Sequence, residues 1–168
     1  MTKKNPLLEI PVTVYQVPPF DRIELKDYKP ALIRAIDIAK GRVDSINANS
    51  EPPAFANTIE ALEYAGEEVT RVATIFYNLN EAHTSDQMQE LAQELSPLYT
   101  EYQMYVSLNP ALFERVKKVY LDRSSIDLTQ EKARLLEETY KGFVRNGANL
   151  SPEDKKTYEA IQEQLSLA

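Results

Sequence analysis

Cysteine is absent from the 168 residues, histidine occurs once, and glycine only four times. Without cysteine there can be no disulfide, no thiolate zinc site and no cysteine nucleophile, and the composition fits a reducing compartment, so a cytoplasmic location is expected. The single histidine, His83, rules out the His-Glu-x-x-His pair that most helical zinc hydrolases use, and no Glu-x-x-His is present to ligate a carboxylate-bridged di-metal centre. Gly-x-Ser-x-Gly is missing, and Gly41, Gly66, Gly142 and Gly147 are too widely spaced to form a phosphate-binding loop. Basic clusters are also lacking. The longest runs are Lys3-Lys4, Lys117-Lys118 and Lys155-Lys156 in a chain of net charge −7, which excludes a phosphate-backbone partner. No stretch approaches the roughly 18 apolar residues of a membrane span, and the opening Met1–Pro11 holds no apolar run long enough for a secretory signal.

What is present reads as helix. The apolar share is 43% and the charged share 27%, ordinary for a globular chain. At this length a chain buries roughly 70% of its unfolded surface, enough for a core without covalent staples. Residues 1–26 carry Pro6, Pro11, Pro18 and Pro19 and are predicted to form an extended arm. Within it Val12, Val14 and Val17 suit either a short strand or the surface.

From residue 27 to 168 the period shifts to three and four. A first helix is expected with Asp27 as cap, Pro30 in its first turn, and Tyr28, Leu32, Ala35, Ile36, Ala39, Val43 and Ile46 on one face. A second should open at Asn57 or Thr58, with Asn57 and Glu60 spaced as a capping box and Gly66 on the apolar face, where it admits a close neighbour. A third begins near Ser85 or Asp86, carries Tyr99, Tyr102 and Tyr105 at three-residue intervals, and contains Pro97, which predicts a kink or a lost hydrogen bond. Asn109-Pro110 starts a fourth. Residues 122–128 are read as a loop. A fifth helix runs from about Thr129 to Arg145 and is closed by Asn146-Gly147. Ser151-Pro152 opens a sixth, with Tyr158, Ile161 and Leu165 as its apolar residues. That last pattern runs to Ala168 without a stop signal, as expected of a segment cut from a longer chain and equally of a natural end. The fold class expected is therefore all-α: about six helices packed as antiparallel hairpins, preceded by the proline-rich arm.

No catalytic or metal-binding residue can be assigned. His83 is expected at the surface near the end of the second helix. Glu60, Glu63, Glu67 and Glu68 are read as a solvated stripe rather than an acid–base pair, which would require one desolvated carboxyl. The tyrosines suit core edges and interhelical packing, although a ring with a hydroxyl also suits a peptide groove.

Several segments in order nevertheless resemble the M3 family of metallopeptidases: Asn5-Pro6-Leu7-Leu8, Tyr28-Lys-Pro-Ala31, Phe55-Ala-Asn-Thr-Ile-Glu-Ala-Leu-Glu63, Ala65-Gly66-Glu67, Arg71-Val72 and Ala82-His83-Thr84. Leu108-Asn109, Leu112-Phe113-Glu-Arg-Val116, Phe143-Val-Arg-Asn-Gly-Ala148 and Leu150-Ser151 continue it. The resemblance covers nearly the whole chain. It implies a longer, largely helical parent enzyme built around a deep channel, of which this segment would be roughly the first quarter. The zinc site would lie in a downstream catalytic domain of the same polypeptide, and the parent's substrates would be oligopeptides. The family includes peptidyl-dipeptidases, which remove C-terminal dipeptides, and oligopeptidases, which cut internally. On this reading the segment forms part of the channel wall, restricts access to short peptides, and has no cofactor of its own. The alternative is a stand-alone helical module that binds peptide or protein without catalysis. In either case uncovered helix faces offer a route to self-association.

Overall fold

The computed structural model describes residues 4–12 and 14–166. Among these residues seven α-helices follow the arm: α1 (Leu25–Asn47), α2 (Ala61–Ala65), α3 (Glu67–Ala82), α4 (Asp86–Ser107), α5 (Pro110–Leu121), α6 (Gln130–Arg145) and α7 (Pro152–Ser166). Among the described residues there is no strand. A π-helical turn, Phe55–Glu60, runs straight into α2, and only Gly66 separates α2 from α3. These three pieces occupy the place of the second predicted helix, so the expected six rods are present.

α1 is the central element because its apolar residues recur along the whole 23-residue rod. Ala31, Ala35 and Ala39, one turn apart, are fully buried, and such small side chains let neighbouring helices come close. The α2–α3 rod runs antiparallel to α1: Arg42 reaches Tyr64 and Ala65, while Tyr28 lies edge-on to Phe76 at 5.1 Å. α4 runs alongside α1 in the same direction, with Lys29 paired to Glu94 and Lys40 to Glu101, each at 2.8 Å. α5 and α6 form a hairpin closed by stacked rings, Tyr120 on Tyr140 at 4.0 Å and Phe113 beside Phe143 at 5.9 Å. α7 packs on α4.

Two apolar clusters result. The first joins Leu7 of the arm to the N-terminal half of α1, to α3 and to α4. The second joins Val43 and Ile46 of α1 to the π turn, α5 and α6. Each fully buried Phe, Leu or Val contributes about 1.5–3 kcal/mol.

Several helix ends form where the capping chemistry places them. The side chains of Ser85, Asn109, Thr129 and Ser151 accept the N–H groups of Met88, Leu112, Lys132 and Asp154. Gly147 takes φ +87 just beyond α6, the left-handed conformation that glycine tolerates best. Pro97 lies inside α4, which continues through it to Ser107. The bond lost is the one that an N–H at this position would make to the Gln93 carbonyl, four residues earlier.

Other starts differ from the sequence reading. α1 begins at Leu25, and Asp27 is its third residue. The Asp27 carboxylate reaches back to the Glu24 N–H at 2.9 Å, so it serves the first turn from inside the helix. Pro30 is accordingly sixth in the helix, not in its first turn, and lies exposed where water can reach the freed carbonyl of Lys26. Asn57 likewise does not open its helix. Its Oδ1 accepts the N–H of Ala54 at 2.8 Å, which pulls the start back to Phe55. The arm is not simply extended: it makes short 3-10 turns at Pro6–Leu8, Val14–Gln16 and Phe20–Arg22. Val12 and Val17 are on the surface, while the Val14 side chain lies outside the described residues.

Candidate functional site

The arm is fastened at one end. Asn5 donates its side-chain amide to the Asp27 carbonyl at 2.8 Å and accepts the Leu7 N–H at 3.0 Å, and Leu7 is buried in the first core cluster. Beyond Pro11 the chain doubles back through Tyr15 (φ 61) and Gln16 (φ 56), a left-handed pair seldom adopted by side-chain-bearing residues. Pro11 on the outgoing limb and Pro18 and Pro19 on the returning one therefore face the same cavity of about 530 Å3. Its opposite wall is one face of α2–α3: Glu63, Tyr64, Glu67, Thr70, Arg71 and Thr74. The arm wall is mostly carbon surface from its prolines, Leu7 and Ile23, with the Glu9 carboxylate and the Gln16 amide among them. The helical wall offers carboxylates, hydroxyls and a guanidinium.

Behind that face, Gly66 breaks the rod, and a Cβ there would sit 2.7 Å from the Tyr102 hydroxyl. The break leaves carbonyls at the end of α2 without helical partners. Arg42 meets them, donating to the carbonyls of Tyr64 (3.2 Å) and Ala65 (3.3 Å), and it grips the Glu68 carboxylate with both terminal nitrogens, the longer bond being 2.7 Å. This bidentate hydrogen bond holds the Glu68 carboxyl below the usual glutamate range, against the opposing effect of partial burial. Arg71 differs: its Nε is buried and has no hydrogen-bond partner among the described residues.

The sequence-singled residues are distributed unevenly. Glu63, Tyr64 and Glu67 come together in the groove. Glu68 is not part of a solvated stripe, because Arg42 claims it. His83 is exposed at the C-terminal end of α3, its backbone N–H donating to the Leu79 carbonyl at 2.8 Å. The tyrosines of α4 separate in role. Tyr102 is buried against Gly66, Tyr99 is half-buried, and Tyr105 donates its hydroxyl to Asp44. That bond, with some desolvation, pushes the Tyr105 phenol up to about 12. Burial raises the phenols of Tyr77 and Tyr102. Tyr140 lies in the α5–α6 ring stack. Tyr158 faces a small cavity against α4.

Sequence reasoning missed Arg71 and the groove-forming role of the arm prolines. Arg71 follows Glu67 by four residues and Glu63 by eight, a spacing that puts all three on one helical face. The arm's return path left no periodic signal.

The donor set does not suit zinc. Among the described residues no group of three or more His, Asp or Glu side chains could hold a metal ion. Nor is any helix among them long and apolar enough to cross a membrane.

Comparison with known proteins finds similarity to peptidases: the chain's homologues are enzymes of the M3 family. The particular relatives are dipeptidyl carboxypeptidases and oligopeptidases A. The chain is 36% identical over 161 residues to dipeptidyl carboxypeptidase of Escherichia coli (strain K12), a match covering 96% of this chain and 24% of that enzyme. The same enzyme of Salmonella typhimurium is 35% identical over 94% of the chain and 23% of the relative. Oligopeptidase A of Salmonella typhimurium is 24% identical over 96% and 23%. The chain thus spans about a quarter of the length of the curated relatives it matches. No protein-family model matches it.

Proposed function

We propose that this chain is the helical, non-catalytic segment of an M3 peptidase, in which it builds part of the substrate channel wall and limits entry to short peptides. One observation carries the reading: similarity to dipeptidyl carboxypeptidase runs through nearly the whole chain yet accounts for only 24% of that enzyme. The parent then hydrolyses oligopeptides with zinc supplied by a downstream domain, and works in the cytoplasm.

Two measurements test this. The chain alone, assayed with zinc and a blocked oligopeptide, is expected to show no cleavage; hydrolysis abolished by a chelator would overturn the proposal. A dipeptidyl carboxypeptidase carrying this segment in place of its own is expected to cut short peptides and spare a folded protein. Indiscriminate cleavage of both would contradict the gating role.

A further inference from the structure

α7 is attached differently from the other helices. Among its described residues none is buried, and none packs against either apolar cluster. Its side-chain hydrogen bonds stay within the helix and its cap: Ser151 donates to Asp154, Thr157 to the Glu153 carbonyl and Ser166 to the Glu163 carbonyl. Among the described residues no hydrogen bond, ion pair or ring contact joins α7 to another helix. By contrast, α1 and α4 are tied by Lys29–Glu94 and Lys40–Glu101, and α5 and α6 by stacked rings.

The junction with α4 is loosely filled. A cavity of about 440 Å3 opens between Leu98, Met104 and Tyr105 of α4 and Glu159 and Glu163 of α7, and a smaller one of about 200 Å3 lies between Tyr99 and Gln103 of α4 and Tyr158 and Gln162 of α7. The half-buried positions of α7 are Lys155, Tyr158, Gln162 and Ser166, so the seated side is largely polar. Its apolar Ile161 and Leu165 remain 51% and 63% exposed. Charge gives no help either: Glu159 and Glu163 stand one turn apart and share the larger cavity with Glu101, which is already paired with Lys40 of α1. A helix of 15 residues is marginal in water without an apolar face to bury. Ala148 is held in the second cluster, while residues 149–151 are exposed, which places a hinge just before α7.

We propose that α7 is a lid on α4. It opens as a unit about Asn149–Ser151 and bares Leu98, Met104 and Tyr105, while both apolar clusters stay intact because no described residue of α7 belongs to them. The proposal stands independently of the peptidase reading, since it rests on contacts within this chain alone.

The test is native-state hydrogen exchange of the 168-residue chain, followed amide by amide by NMR. Amides from Lys156 to Gln162 should share one protection value, at least roughly a hundredfold below that of Ala35 and Ala39 in α1. That value should change little with urea below the unfolding transition, because undocking bares little surface. Fraying from the end would instead give protection that declines steadily along the helix. Gln162→Leu places an apolar side chain at the α4 junction and should raise α7 protection at least roughly threefold. Exchange of α7 at the α1 rate with the same urea dependence, a steady decline from Lys156 to Gln162, or α7 protection unmoved by Gln162→Leu would overturn the assignment.

Discussion

Asp44 and Tyr105 show how one contact between helices sets the chemistry of a side chain. The Tyr105 hydroxyl donates to an aspartate oxygen on α1, and losing that proton would place two negative charges together. With the phenol pushed up to about 12, its contribution to stability is complete below the ordinary tyrosine value near 10 and is lost as pH climbs from there through about 12. Spectrophotometric titration should resolve one tyrosine ionising late, and Asp44→Asn should return it toward the others. Glu68 titrates with the opposite sign. Its carboxyl is depressed, so the stabilisation is present above about pH 4.3 and disappears as pH falls through the lower folded value. Both side chains of the Arg42–Glu68 pair are partly exposed, which limits its worth to about 1 kcal/mol. Urea unfolding at neutral pH should show a loss of this order in Glu68→Gln, and the difference from the parent should vanish in acid. Neither pairing was legible in the sequence, because Asp44 and Tyr105 lie 61 positions apart and Arg42 and Glu68 lie 26 apart.

At the level of elements, most helices could be read in advance because their caps are local. Ser85, Asn109, Thr129 and Ser151 each satisfy an N–H three residues on, a relationship complete within one turn. The misread starts are those where the helper sits inside the helix. Asp27 and Asn57 look like caps by type but act from the third position, so the backbone begins earlier than the side-chain pattern suggests. Asn57 is further committed by Arg115, whose guanidinium reaches its Oδ1 at 3.3 Å from α5, a tertiary contact no local pattern encodes. The Gly66 break has a sharper consequence. Gly66→Ala would drive a methyl to 2.7 Å from the hydroxyl of Tyr102, a buried residue, and crowding of that kind costs about 1–3 kcal/mol. Tyr102→Phe in the same chain should recover part of the loss, and denaturant unfolding of the two single variants and the double variant measures the coupling.

Across the whole molecule, α1 contributes buried residues to both apolar clusters, with Tyr28 to Ala39 in the first and Val43 and Ile46 in the second. The clusters should therefore unfold together. Phe76→Ala, in the first, and Phe143→Ala, in the second, should each cost about 3–5 kcal/mol and shift a single calorimetric transition. Two separate transitions in either variant would show that the halves melt independently. The all-helical architecture was readable because apolar periodicity reports which face of each helix turns inward. The groove was not, because it depends on an arm folding back through a left-handed turn at Tyr15 and Gln16, residue types that give no warning of it.

The hairpin of α5 and α6 carries a built-in optical reporter. Tyr120 and Tyr140 lie nearly parallel, 6° apart in plane, with Phe113 a further 6.0 Å from Tyr140, and the chain has no tryptophan to mask them. Rings so close couple their electronic transitions, so docking of this hairpin should produce an exciton band in the near-ultraviolet circular dichroism without any added label.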